Sequence, residues 1–270
     1  MARPTIHRPA YVMTSVDHAL RLIQLLRDTG GLRVSDAARE LGVAASTAHR
    51  LLSMLVYRGF AVQDDDRGYA PGPALGAAPS QLPWARALRD LLVPHMELLS
   101  GRVGETVNLM VRVGGNVRFL ASEESANLLR VSDRTGAVLE AHQASGGKAI
   151  LAELERSELE RLYRSRAAAI AGDHLDTTRF TALLRELEQI RARGHSENRE
   201  ATEAGVCAVG CALHDVRGRA VAAFTVSFPT TRAALFDDER FLELIRETRG
   251  EMDAELARHE FDAATGTARG

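Results

Sequence analysis

Residues 34–69, V-S-D-A-A-R-E-L-G-V-A-A-S-T-A-H-R-L-L-S-M-L-V-Y-R-G-F-A-V-Q-D-D-D-R-G-Y, constrain this chain more than any other stretch. They open with Ser35, a residue type favoured at helix N-caps, followed by Ala37, Ala38 and Leu41 at helical spacing. Gly42 supplies the left-handed residue that ends such a helix. A second helix is expected over residues 45–57. It turns Ala48, Leu51, Leu52, Leu55 and Val56 inward and carries Ser46, Thr47, His49, Arg50 and Ser53 on the opposite face. Gly59, the apolar run 60–62, the turn Asp64, Asp65, Asp66, Arg67, Gly68 and a return at Tyr69 then read as a hairpin. Two helices joined by a tight turn, the second with small polar groups and an arginine near its start, have the layout of a helix-turn-helix; the hairpin behind it is a wing. Such a module implies double-stranded DNA as the partner.

Charge qualifies that reading. The chain of 270 residues has a formal net charge of -2, with 26% charged and 45% hydrophobic residues. This is the composition of a globular protein and argues against electrostatic coating of DNA. Locally the balance differs: residues 43–58 contain no acid, while Arg50 and Arg58 are cationic, and Arg3 and Arg8 add charge to the N-terminal arm. A sequence reader that works as an oligomer fits this pattern. No apolar run approaches the ~20 residues of a membrane span, and the first residues lack the apolar core of a secretory signal. A cytoplasmic protein with no membrane partner is expected.

Taken in order, residues 1–14 read as a flexible arm. A helix is expected from Ser15 to about Thr29, with Val16, Ala19, Leu20, Ile23 and either Leu26 or Arg27 as its stripe and Gly30 and Gly31 as its stop. Residues 15–76 thus form the winged module. Prolines 71, 73, 79 and 83 mark a break, and residues 77–101 are expected to be a linker whose helix, over 84–100, must kink or break at Pro94. From Thr106 the pattern changes to period two: strands over 106–113 and 117–121 flank a turn at Gly114, Gly115 and Asn116, and 128–131 reads as a third strand. Short helices over 145–154 and 157–164 precede an amphipathic helix over 177–193, with Phe180, Leu183, Leu184, Leu187 and Ile190 inward and Gly194 as its stop. Strands over 206–214 and 219–228, a helix over 237–258 and a disordered tail over 261–270 complete the chain. The expected fold class is α+β, a winged helix-turn-helix joined by a helical linker to an α/β domain over residues 102–260.

At nearly full length the chain resembles the IclR family of bacterial transcriptional regulators. The matching stretches are S-V-D-H-A-L-R-L-I-Q-L-L, S-D-A-A-R-E-L-G-V, S-T-A-H-R-L-L and Y-A-P-G-P, then G-E-T-V-N-L, G-G-K-A-I-L-A, I-R-A-R-G-H-S, E-A-G-V-C-A-V-G and F-T-V-S-F-P. Their order and spacing make the resemblance specific. It implies a GAF-like effector-binding second domain, and homodimers or dimers of dimers on a pseudo-palindromic operator, acting as repressor or activator. It also implies DNA contacts from Ser35, Ser46, Thr47, His49 and Arg50, with Arg67 reaching from the wing. A small organic acid, aromatic ones included, would be the effector, lined by Leu129, Ser145, Gly146, Gly147, Asn198, Glu200, Ala208, Thr225 and Ser227. The residue types suit these roles: arginine spans guanine O6 and N7, a helix N-terminus at 145–147 favours a carboxylate, and Thr225 and Ser227 share one face of a strand. The sequence departs from the family at Asn198 and Arg199, where many members carry an Asp pair, and at Ala208, where many carry Cys.

The rival class is a Cys/His enzyme or ligand sensor built on Cys207, Cys211, His142, His195 and His214. Neither a nucleophile-base spacing nor a metal-ligand spacing supports it, and small apolar neighbours suggest core cysteines. Lys148, the only lysine of the chain, follows two glycines but lacks the spacing of a nucleotide-binding loop. No enzyme activity, metal or cofactor is expected.

Overall fold

The computed structural model describes residues 11–29, 31–63, 68–72, 83–165, 168–169 and 172–261. The chain divides into two compact units, residues 1–76 and 77–270.

The first unit consists of α1 (Thr14–Thr29), α2 (Val34–Leu41), α3 (Ala45–Tyr57), β1 (Ala61–Gln63) and β2 (Tyr69–Pro71). The two strands pair antiparallel, with Val62 opposite Ala70, and Leu32 bridges to Tyr69. Leu22, Leu26, Ala37, Leu41, Ala48, Leu52 and Leu55 form its buried core. The stripe of α1 is therefore rotated from the one expected. Leu22 and Leu26 are fully buried, while Val16 and Leu20 are exposed; the apolar residues spread over more than half of this helix, opposite Asp17, Arg21 and Gln24, and packing against α3 selects which of them are covered. Ser35 is not an N-cap either. Arg33 takes that position, its carbonyl accepting from the N–H groups of Asp36 and Ala37, and Ser35 lies exposed in the first turn. Gly42 does end α2: at φ 66° it closes a Schellman motif, with Gly42 N–H donating to Arg39 O and Val43 N–H to Ala38 O. That pair of bonds sets the angle at which α3 leaves.

The second unit is a six-stranded, fully antiparallel sheet in the order β5-β4-β3-β8-β7-β6. Its strands are β3 (Thr106–Val113), β4 (Asn116–Glu123), β5 (Val138–Glu140), β6 (Ser196–Arg199), β7 (Val206–His214) and β8 (Ala220–Pro229). One face packs on α4 (Pro83–Val103), on the 3-10 segment Thr230–Asp237 and on α8 (Glu239–Arg258), around Leu88, Leu92, Met96, Phe224, Phe228 and Ile245. The other packs on α5 (Ser145–Ala152), α6 (Arg156–Arg164) and α7 (Thr177–Arg193), around Phe119, Ile150, Leu159, Tyr163 and Leu187. Helix α7 has the bounds its pattern gave, capped by Asp176, whose carboxylate accepts from Arg179 N–H, and stopped by Gly194 at φ 77°.

Three elements differ from expectation. The helix foreseen as a linker is part of the second unit: Ala85, Leu88, Leu92, Met96 and Leu99 are buried in its core. It also runs on through Pro94, which sits on the exposed side, so one missing N–H is tolerated where packing holds the helix. Residues 128–131 are not a strand. They are pinned by side chains instead, Thr106 Oγ1 donating to Val131 O and Arg232 Nη2 to Leu129 O. The place beside β4 is taken by β5, with Asn116 opposite Glu140. Finally, β6 was not foreseen, because its residues Ser196, Glu197, Asn198 and Arg199 carry no apolar signal.

Candidate DNA-reading helix and effector cavity

In the first unit, α3 buries Ala48, Leu52 and Leu55 and exposes Ser46, Thr47, His49, Arg50 and Ser53. The four groups expected to meet DNA thus share one outward face. Arg50 has no ion-pair partner among the described residues, so its planar fork is open to a base edge or a phosphate. No side chain caps α3, and a phosphate oxygen suits its first-turn N–H groups. Arg58 lies over the Tyr57 ring, 4.9 Å from its centroid. Arg67 lies outside the described residues.

In the second unit the sheet carries a polar band through an otherwise apolar core. Strand register aligns Ser196, Gly210, Thr225, Asn108 and Ser122 in one transverse row. Two residues along, on the same face, Asn198, Ala208, Ser227 and Thr106 make the next row. Asn108 stands at the centre, fully buried. Its Nδ2 donates to Ser227 Oγ (3.0 Å) and Thr225 Oγ1 (3.4 Å), and its Oδ1 accepts from Ser122 Oγ (2.6 Å). Asn198 Nδ2 donates to Thr202 Oγ1 at 2.7 Å. The Thr225 and Ser227 hydroxyls accept from Asn108 and each keep a proton to offer to whatever lies above them, whereas Ser122, Ser196 and Thr106 already donate within the protein.

Above it is a cavity of about 20 Å³ lined by Met110, Phe119, Ser145, Asn198, Ala208, Thr225 and Ser227, with Arg134 and Thr202 at its edge. The structure thus brings together five of the expected effector residues: Ser145, Asn198, Ala208, Thr225 and Ser227. It does not bring the other four. Gly146 and Gly147 permit close backbone approach: a Cβ on Gly146 would meet Met110 Sδ at 2.4 Å, and one on Gly147 would meet Ala141 O at 2.3 Å. Glu200, at φ 59°, closes the β6–β7 turn, its Oε1 accepting from Gly205 N–H at 2.7 Å. Leu129 is exposed and lines a neighbouring groove. Arg199 faces away, stacked on the Phe236 ring at 3.8 Å and paired with Glu197.

Asn108, Ser122, Arg134 and Thr202 escaped the sequence reading. For Asn108 the signal was present, since Thr106 and Asn108 break the apolar alternation of β3 on a single face. The other three gain meaning only from their neighbours across the sheet and loop.

The cysteines belong to the opposite face, buried among the α4 and α8 side chains. Burial pushes the Cys211 thiol up to about 12, which keeps it protonated and unreactive. His142 and His195 are both held below the usual imidazole range, chiefly by burial. No cluster of metal-binding groups occurs among the described residues, and no helix there is long and apolar enough to cross a membrane.

Comparison with known proteins agrees with both halves of this architecture. The IclR helix-turn-helix domain model matches residues 15–65, and the model for the C-terminal part of bacterial IclR transcriptional regulators matches residues 85–254. The HTH-type transcriptional regulator BhcR of Paracoccus denitrificans is 31% identical over 81% of this chain and 78% of its own. The HTH-type transcriptional repressor AllR of Escherichia coli K12 is 28% identical over 90% of each. An IclR homologue of Microbacterium hydrocarbonoxydans, solved as a complex with 4-hydroxybenzoate, superposes with a TM-score of 0.56 at 23% identity, covering 91% of this chain and 99% of the other. The winged helix, the sheet and the family models converge: this chain belongs to the IclR family of bacterial transcriptional regulators.

Proposed function

We propose that the protein is a ligand-responsive repressor: α3 reads a pseudo-palindromic operator in the major groove, and a small organic acid entering the cavity of the second unit alters that binding. Two copies, or a dimer of dimers, would engage the two half-sites. The observation that carries the reading is the division of α3 into a buried apolar face and an exposed, acid-free face of Ser46, Thr47, His49 and Arg50. Repression is supported by the name of the related AllR, and an acidic effector by the 4-hydroxybenzoate bound to the structural neighbour. Ser46 and Thr47 are assigned to phosphate or base contacts, His49 to the groove edge and Arg50 to a guanine. Helix α4, anchored in the core of the second unit, is the element assigned to carry the ligand's effect toward the DNA-binding unit.

Arg50→Ala tests the DNA half. In a folded protein it is expected to cost about 1–3 kcal/mol of operator binding and to relax preference at one base pair. Unchanged specific binding in a gel shift would remove α3 from the reading role.

A further inference from the structure

We propose that Arg134, latched to Glu203, is both the door of the effector cavity and the group that selects an anionic ligand. This rests on the ligand-responsive reading above and adds the residue that sets the charge of what is bound. Three observations carry it.

The first is the placement of charge. Among the described residues lining the cavity, Arg134 is the lone charged one; the rest are apolar side chains, hydroxyls and the Asn198 amide. Arg130, the nearest alternative, pairs with Glu124 at 2.6 Å and lines only the outer groove.

The second is the geometry of access. At about 20 Å³ the cavity holds little more than one water molecule. Beside it lies an outer groove of about 180 Å³, bounded by Leu129, Val131, Gly205 and Pro229, and the two spaces share Arg134 and Val206 as a common wall. Moving the Arg134 side chain therefore joins them into a site for a small organic molecule. The exposed Leu129 finds its place as part of the entrance.

The third is the latch. The Arg134 side chain is 17% exposed, whereas that of Glu203, to which its Nη2 donates, is 56% exposed. Glu203, largely in water, is solvated when it lets go, so the latch gives way on the Glu203 side. The arginine backbone does not move with the side chain: Arg134 N–H donates to Ser122 Oγ, which donates to Asn108 Oδ1, the hub that also holds Thr225 and Ser227. A ligand carboxylate arriving through the groove takes the position of the Glu203 carboxylate on the guanidinium. One carboxylate replaces another, so no buried charge is left unpaired. The hydroxyls of Thr225 and Ser227 then meet the uncharged end.

The test is calorimetric titration of the full chain with matched acid and amide pairs: lactate and lactamide, benzoate and benzamide, 4-hydroxybenzoate and 4-hydroxybenzamide. At least one acid is expected to bind saturably and on the order of tenfold or more tighter than its amide. Arg134→Gln is expected to erase that preference by weakening the acid alone. Glu203→Gln, at an exposed position that does not threaten folding, is expected to tighten the acid, because the competing carboxylate is gone. The opposite signs of the two variants separate a latch from a structural ion pair, whose loss would weaken binding in both. Equal binding of acid and amide, retention of the preference in Arg134→Gln, or weaker acid binding in Glu203→Gln would each overturn the proposal. The fate of the underlying reading is distinguishable. Amide binding that is lost in Thr225→Val with Ser227→Ala would leave the cavity as the effector site while removing Arg134 from it. Absence of saturable binding by every acid and amide would remove both.

Discussion

Asn108 is fully buried and makes three side-chain hydrogen bonds, to Ser122, Thr225 and Ser227. A buried amide costs free energy unless matched in this way, so the band around it is held by mutual satisfaction. Its members were unequally visible in the sequence. Thr225 and Ser227 were implied by the family resemblance, and strand alternation puts both on one face. Arg134 sits in a loop whose course is set by side-chain contacts such as Thr106 to Val131 and Arg232 to Leu129, and no periodicity records such contacts. A second residue-scale feature predicts a pH dependence. His214 lies 3.3 Å from Asp253 Oδ2 and is also faced by Glu153 and Arg249. The hydrogen bond to Asp253 raises its pKa above the ordinary 6.5, against the effect of burial. The stabilisation is therefore complete below that value and lost as the pH rises through the folded one. His142 and His195, lowered by burial, contribute the opposite slope. The wild type is thus expected to exceed Asp253→Asn in unfolding free energy at about pH 5.5, by a margin that shrinks toward about pH 8.5. Denaturant titrations at both pH values check this, and a constant margin would contradict it.

Among the elements, those with caps were read most closely. Helix α7 is bounded by Asp176 and Gly194, and α3 follows a Schellman turn at Gly42; local chemistry fixes such ends whatever surrounds them. Elements defined by partners were not legible. Strand β6 is polar and exists because β7 offers it an edge, and β5 displaced residues 128–131 from the sheet. The junction of α5 with β7 leaves no room for a side chain. A Cβ on Gly210 would lie 2.8 Å from both Gly146 N and Ser145 C, backbone atoms that cannot give way as a flexible side chain can. Gly210→Ala is expected to lift the start of α5, costing about 1–3 kcal/mol of stability and weakening ligand binding at Ser145. Thermal unfolding and ligand titration of this variant measure both. An unchanged midpoint would show that α5 has slack against the sheet.

For the whole molecule, the division of labour follows from where polarity is placed. A chain of net charge -2 does not coat DNA; it concentrates an acid-free face on one helix and a hydrogen-bonding band on one sheet. Should the ligand alter operator affinity, the operator must alter ligand affinity by the same factor. Titrating ligand with and without operator DNA is expected to give that equality, whichever sign the coupling takes. The central claim, that this chain reads sequence, is tested most directly by fluorescence anisotropy of the wild-type protein at fixed, near-physiological salt. The labelled DNA comes from upstream of its own gene and is compared with a scrambled duplex of equal length. The account predicts that the upstream fragment binds at least ~10³-fold tighter than the scrambled one. Equal affinities, falling together as salt is raised, would mean that only phosphates are felt, and would contradict it.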